Sequence, residues 1–578
     1  MSYFFNGREW VTPTTMSAVN DDALANTNLS VGNVTALLGE STGGQPGVLL
    51  SFGSPAEAQA TLISGELLTA AMKAFSPSDE TGGPASVDVI RVNPATQSTL
   101  VLKDTNGVAS INVASADWGQ RTAQLKLTVV PGSIQGLGAT VVLGSASYTV
   151  DNLYANPFEI QYEGAAASGQ MSITPTQMVL QAPAGTIVAT IPFATYPTVG
   201  QLVDFINTIP GFAADVNGGA INAPSLNGLD TVTAQDVKTA QYSVTAILNQ
   251  VMSWMNSVAP LSQPLITATY AEGYTGLLPV AIPFTYLAGG SDGVTTATQY
   301  DAALTTLQQD DVQWVTPISS NPTVWAMVDA HVQYMSTIGM MERRAICGTA
   351  LGTTDAAAIA FAFNLNSNRT SLVHLGYYDA DLTGVLSGLQ LYSPYLTAAA
   401  IAGAFSGVAP GTAMTNKAMS FQGLERYLNN PTDTDPLLKG GVIPLVKATT
   451  GYMVVQSIST WLVNQNYDKV EQSVGSALDY TCRSVRVVLD PLRGGNVTPI
   501  SLGRAVTLTT SVLKQLAVPA PQGPGILVGN AASPPYLNVT AFGVGTVIAV
   551  SFQCSPGLPA NYVSVTVYAV PFSGTASA

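Results

Sequence analysis

A chain of 578 residues is too long for one hydrophobic core and is expected to fold as about three or four domains. Only 10% of its residues are charged, against roughly 25% in an ordinary soluble domain, so much of its surface must be hidden in cores or against neighbours. A membrane is excluded as the cover, because no apolar run approaches the ~20 residues of a spanning helix. A nucleic-acid partner is excluded by the net charge of −15, since phosphate neutralisation needs concentrated Lys and Arg.

The first residues, Met1 to Trp10, contain Arg8 and Glu9 and lack an apolar h-region, so no export signal is expected. Three well-separated cysteines, Cys347, Cys482 and Cys554, suit a reducing compartment without disulfides. Met1 to Asn26 has little periodicity and reads as an arm. Val31 to Gly39, Val48 to Gly53 and Val87 to Asn93 read as strands around a helix near Leu62 to Phe75, with Leu62, Leu67, Leu68 and Met72 inward. The texture changes between Thr99 and Pro283. Thr99 to Lys103 and Ile111 to Ala114 predict a hairpin about Asn106-Gly107. Leu125 to Val130, Thr140 to Leu143, Tyr148 to Val150 and Ile187 to Ile191 predict further short strands, and Val199 to Ile209 and Ala240 to Val258 predict helices. This block is expected to be one or two β-rich domains inserted into an α/β core.

Tyr286 to Gly293 reads Tyr-Leu-Ala-Gly-Gly-Ser-Asp-Gly. After it come a helix over Thr298 to Leu307, a strand over Val312 to Val315, a helix over Pro322 to Met335 and a strand over Arg343 to Cys347. Ala398 to Ala409 is the longest small-apolar run, and Gly403 and Gly407 break it. A helix over Ser476 to Leu489 sets Leu478, Cys482, Val485 and Leu489 on one stripe, with Asp479, Arg483 and Arg486 on the next. Leu502 to Leu516 predicts another helix, and Val544 to Phe552 and Tyr562 to Val570 predict the last two strands. Tyr562, Ser564, Thr566 and Tyr568 alternate with Val563, Val565 and Val567.

The order of Gly-Gly-x-Asp-Gly loop, helix, strand, helix and strand resembles the sheath proteins of contractile phage tails and related injection devices. Thr415-Asn416-Lys417 and Leu438-Lys439-Gly440-Gly441-Val442-Ile443-Pro444-Leu445 are similar to two further blocks of that family, and Val31 to Asn93 to its opening βαβ unit. The resemblance implies an α+β fold: a conserved α/β core split by an inserted β-rich region, with extended N- and C-terminal arms. It implies an arm over 1–26, the first part of the core over 27–98 and an outer insert over 99–285. Sheath domains over 286–425 and 426–561 and a C-terminal arm over 562–578 complete the division. It implies no enzyme activity and no cofactor. The expected assembly is a homo-oligomeric helical stack of hexamers in the virion tail, built in the host cytoplasm. Its expected partners are a tail tube protein and baseplate and tail terminator proteins, with no direct membrane insertion. Tyr562 to Tyr568 would be an inter-subunit strand, or else an internal strand beside Val544 to Phe552. A tube-facing surface would draw on Lys469, Arg483, Arg486, Arg493 and Arg504, or else these are ordinary helix-surface charges.

Charge placement fits a solvent-facing middle. Leu127 to Glu342 holds one basic residue, Lys238, against fourteen acidic ones, and Gln515 to Ala578 holds no charged side chain at all. An uncharged end of that length needs a cover, and a protein partner is the expected one. Two rival chemistries are visible. Gly39-Glu40-Ser41-Thr42-Gly43 fits a nucleophile elbow, which would make Ser41 an esterase nucleophile served by His331 or His374. No helix pattern starts after Gly43, however, and the plainer reading is a turn leaving a strand. Carboxylate pairs at Asp21-Asp22, Asp310-Asp311, Asp379/Asp381 and Asp433/Asp435 lack the spacing of a calcium loop and are expected to be solvated turns. A self-assembling surface protein, or another virion structural protein, is the remaining alternative.

Overall fold

The structure is a computed structural model and describes residues 3–5, 8–10, 34–258, 264–520 and 522–569. It is a mixed α+β protein whose chain divides into two compact units. One unit comprises Met1–Ser41, Gly47–Val92 and Thr296–Ala578, and the other Thr42–Pro46 and Asn93–Thr295. The described residues of the N-terminal arm, Tyr3–Phe5 and Arg8–Trp10, form two strands paired antiparallel. The rest of that arm, including Asp21-Asp22, lies outside the described residues.

The first unit is built on a seven-stranded sheet. Its strands are β1 (Thr35–Gly39), β2 (Leu49–Phe52), β3 (Val87–Arg91), β4 (Trp314–Pro317), β5 (Arg344–Gly348), β6 (Thr370–Val373) and β7 (Val442–Ile443). The spatial order is β7-β6-β5-β4-β1-β3-β2, and only the edge strand β2 runs antiparallel. Strands buried on both faces should be apolar throughout, and every residue of β1, β3 and β5 is buried. Alternation sorts the faces: Leu37, Val89 and Ile346 enter one core, while Ala36, Leu38, Ile90 and Ala345 enter the other.

Helices cover both faces. α1 (Pro55–Leu62), α2 (Glu66–Phe75), α5 (Asp355–Leu365) and α6 (Pro394–Gly407) fill the first core, and α3 (Ala297–Thr306) and α4 (Pro322–Thr337) fill the second. The helix expected near Leu62 to Phe75 is thus a pair, broken where Ile63 and Gly65 take positive φ. The small-apolar run becomes α6, buried on nearly every side, as a helix apolar all round must be. It lies so close to α2 that a Cβ on Gly403 would meet the Ala74 carbonyl oxygen at 2.3 Å. No helix among the described residues is long and apolar enough to cross a membrane.

The first unit continues into α7 (Gln472–Leu489), α8 (Pro499–Leu516) and a hairpin of β8 (Tyr536–Val544) and β9 (Val547–Cys554). Val544 faces Val547 across a two-residue turn at Gly545-Thr546, so the strand expected over Val544 to Phe552 begins at a turn and pairs backwards with Tyr536–Val544.

The second unit holds antiparallel sheets around two cores. Strands Lys126–Pro131, Leu137–Leu143, Ala146–Leu153 and Ile282–Tyr286 form one sheet, and Thr99–Lys103, Ala109–Ser115 and Ile266–Tyr270 another. Helix Ile247–Ser257 contributes Leu248, Val251 and Met255 to the core formed with these strands. The helix expected from Ala240 starts later, because Tyr242–Val244 pairs with Phe158–Ile160 and the Asp230 carboxylate accepts from the Ile247 and Leu248 amides at 2.8 and 3.0 Å. Thr198 and Gln201 form a capping box on helix Val199–Ile206 at the second core.

Candidate assembly surface and the buried charge cluster

Arg343 and Arg344 open β5, and Arg369 immediately precedes β6, so the chain places three guanidinium groups at one end of the parallel sheet. Helix α7 answers them with a carboxylate. Arg344 Nε donates to Asp479 Oδ2 at 2.8 Å, and Arg369 adds two parallel bonds to Asp479, each 3.0 Å. Arg344 Nη1 also donates to Gln472 Oε1 at 2.8 Å, and Gln472 Nε2 passes on to Ser371 Oγ at 2.7 Å. Burial alone would raise the Asp479 carboxyl, but the charges of Arg344 and Arg369 hold it below the usual carboxylate range. Space for this comes from Gly475, where a Cβ would stand 2.0 Å from Arg344 Nη2.

Other polar residues of α7 turn the same way. Arg483 pairs with Asp311, and Arg486 forms a two-pronged pair with Glu342, one prong at 2.7 Å. Arg343 donates to the carbonyls of Leu307 and Asp310 at 3.0 and 2.7 Å, with Nη1 3.0 Å from His331 Nε2. The charged stripe of α7 therefore faces the body: Arg483 is 5% exposed, while Cys482, expected inside, is exposed. The expected apolar stripe is kept in part, with Val485 buried and Leu478 and Leu489 half-buried, but the neighbouring charged stripe is buried as well, because saturated ion pairs can bury charge. Asp479 and Arg483, four residues apart on the helix, take separate partners on the sheet side.

Of the basic residues expected at a tube-facing surface, Arg483 and Arg486 are committed to carboxylates of their own chain. Lys469 is half-buried with Nζ 4.8 Å from the Trp461 ring centre. Arg493 and Arg504 are exposed, Arg493 in an exposed pair with Asp490. The carboxylates expected in solvated turns separate likewise. Asp379 is buried, 2.5 Å from Lys73 Nζ, with Tyr377 and Phe421 rings flanking the ammonium. Asp381 holds a turn through the amides of Thr383, Val385 and Leu386. No group of acidic, His or Cys side chains suited to a metal ion occurs among the described residues.

The hydrolase constellation is not assembled. His331 is pushed down to about 4 by burial and by the Arg343 charge, and its Nε2 is taken by Arg343. His374 Nε2 lies 2.8 Å from Asp355 and 3.1 Å from Arg426. Ser41 sits buried in the turn after β1. All three residues of Thr415-Asn416-Lys417 serve the fold. Thr415 Oγ1 donates to Asn561 Oδ1 at 3.1 Å, Asn416 takes φ 58°, and Lys417 pairs with Glu80 at 2.5 Å.

The C-terminal stretch of the first unit inverts this arrangement. Tyr562 to Ala569 carries no strand and joins no sheet among the described residues, and Tyr562, Val563, Val565, Val567 and Tyr568 are 78–90% exposed. The internal strand weighed for this segment is therefore not formed, since β9 pairs with β8 alone. The β8–β9 hairpin is a two-stranded sheet that also exposes Leu537, Phe542, Val544 and Val547. The predicted residues beyond Ala569 lie outside the described part of the chain.

No family model matches the chain. The tail sheath protein of Bacillus phage SP01 is 26% identical over 590 residues, spanning 99% of this chain and 97% of that protein. The tail sheath protein of Staphylococcus phage Twort is 24% identical, over 79% of this chain and 81% of its own. Among solved structures, a sheath tail protein from Listeria innocua superimposes with a TM-score of 0.52 at 11% identity, covering 90% of both chains. One from Desulfitobacterium hafniense gives a TM-score of 0.50 at 12% identity over 94% of this chain and 100% of that one, so the two solved chains share the fold. Along almost its whole length this chain is therefore similar to the tail sheath proteins of contractile phages, a family of structural proteins rather than enzymes.

Proposed function

We propose that the chain polymerises as stacked hexameric rings around a tail tube and contracts to drive the tube through the host envelope. The observation that carries this reading is the segment Tyr562 to Ala569: an uncharged, alternating, exposed stretch with no strand partner among the described residues. Edge strands that must stay single carry Lys, Pro or bulges, and this stretch has none. Added as a strand to a sheet of a neighbouring copy, it would gain backbone hydrogen bonds while leaving the folded bodies free to tilt. Identical heterologous contacts with a rise per subunit generate a helical tube. The extended sheath is then a kinetically trapped state and contraction a release to a more stable packing, triggered at the baseplate without nucleotide hydrolysis.

In this reading the β-rich block is an outer insertion in an α/β core. Its acidity supports that placement, as does the closeness of its ends, where Asn93 Nδ2 donates to the Asp292 carbonyl at 3.1 Å. The arms at 1–26 and 562–578 link subunits, and 286–425 and 426–561 form the sheath domains. The exposed Arg493 and Arg504, with Lys469, are the cations available to an acidic tube surface. Assembly takes place in the host cytoplasm, and baseplate and terminator proteins bound the polymer.

Electron microscopy of the purified chain tests the reading: long hollow tubes are expected from the full chain and none from a chain ending at Asn561. Intact tubes from the shortened chain would sink it. Replacing the acidic block by a short Gly/Ser linker should leave tubes intact, and a folded product that never polymerises would place the block in the lattice.

A further inference from the structure

Among the described residues, the chain is stitched to its own body as far as Asn561. The Gly557 amide donates to the Ile526 carbonyl at 3.1 Å, and the Asn561 amide to the Pro559 carbonyl at 3.0 Å. Asn561 is half-buried, and each described residue after it is exposed. Its carboxamide is gripped on both sides. Nδ2 donates to Glu471 Oε1 at 2.6 Å, and Oδ1 accepts from Thr415 Oγ1 at 3.1 Å.

Glu471, immediately before α7, is 1% exposed. Its Oε1 also accepts from Gln456 Nε2, while its Oε2 is buried with no partner. Burial pushes this carboxyl above its usual range, against the two amide donors that favour the charged form. A buried carboxylate with an orphan oxygen is a costly anchor for one asparagine. It stands where the exposed segment begins, and a hydrogen bond to an ionised acceptor is roughly twice as strong as a neutral one.

We infer that Asn561 is a positioning residue for assembly, locked by Glu471 and Thr415 so that Tyr562 to Ala569 leaves the body at one fixed point and direction. This rests on the reading of that segment as a strand donated to a second copy of the chain. A segment rooted at a fixed point reaches its acceptor with a high effective concentration, which is lost when the root swings free.

The test compares four purified full-length or shortened chains by the protein concentration at which tubes appear in electron micrographs. Asn561→Asp sets a second carboxylate against Glu471 and should raise that concentration by about tenfold or more. Asn561→Asp combined with Glu471→Gln exchanges the amide and carboxylate roles. Tube formation should then return to within about threefold of the unaltered chain, since the hydrogen bond is rebuilt. Failure of the double variant to recover, with both chains folded by circular dichroism, would overturn the lock, as would normal tube formation by Asn561→Asp. A chain ending at Asn561 separates the two ideas: its continued polymerisation refutes the donated strand itself, whereas its loss beside a normal Asn561→Asp refutes only the lock. If Asn561→Asp does not fold, Thr415→Val removes the opposite grip alone, and unchanged tube formation by that variant overturns the proposal.

Discussion

Two regions of the first unit break the usual rule of burial in opposite directions. At the sheet end, arginines and carboxylates are inside: Arg343, Arg344 and Arg483 are each at most 5% exposed. At the C-terminal end, valines and tyrosines are outside, from Tyr562 at 90% to Val565 at 78% exposure. Buried charge persists only where partners satisfy it, and here the partners lie in the same chain. Exposed apolar side chains in a run are the complementary case: no described residue covers them, and on the proposed reading the cover is a second copy of the chain. A lever for stability and a lever for assembly are therefore separable by mutation.

The largest effect is expected from breaking the charge cluster. Asp479→Ala strands Arg344 and Arg369, and loss of one partner from a buried ionic cluster costs about 3–5 kcal/mol. Urea unfolding should show it as a lower midpoint, and a change within about 0.5 kcal/mol would mean that Asp479 is not the keystone. Next is acid. His331 titrates near 4 when folded and near 6.5 when free, so the unfolded chain takes up its proton first. Stability from this source is complete above pH 6.5 and falls as the pH drops towards 4, by about 3 kcal/mol in all. Melting curves of His331→Gln should be flatter across that interval than those of the parent chain, and parallel curves would contradict the assignment. Gly475→Ala should cost about 1–3 kcal/mol, because the new methyl must displace the Arg344 guanidinium. The smallest effect on stability, under about 0.5 kcal/mol, is expected from Val565→Pro, although it deletes a backbone donor and should abolish tubes. Destabilisation of the monomer by Val565→Pro would erase the contrast.

Much of the α/β core was legible because parallel strands announce themselves: Thr35–Gly39, Val87–Arg91 and Trp314–Pro317 fall where short apolar runs lay between helical patterns. Proline marked one helix start, at Pro322 with Asn321 as its cap, whereas the helix expected from Thr298 starts at Ala297 after the capping Thr296. The orientation of α7 was not legible. Its apolar stripe is real, yet the deciding contacts are with Asp311, Glu342, Arg344 and Arg369, more than a hundred residues away, and no local period records them. The break between α1 and α2 was hidden for a similar reason. Gly65 takes a left-handed turn so that the Leu67 amide can reach the Glu40 carbonyl, a partner distant in sequence. Asp379 looked like a turn residue because Lys73, the partner that draws it inside, lies in another element of the sequence. The alternation at Tyr562 to Tyr568 was legible as a strand pattern, whereas its lack of a strand partner among the described residues needed the structure.

Hydrogen exchange on the amides of Tyr562 to Ala569, measured in the isolated chain and again in assembled tubes, tests most directly the claim that this segment is completed by another copy. Fast exchange in the monomer and protection of alternate amides in the tube is the predicted result. Exchange equally fast in both states, or protection already present in the monomer, would contradict it.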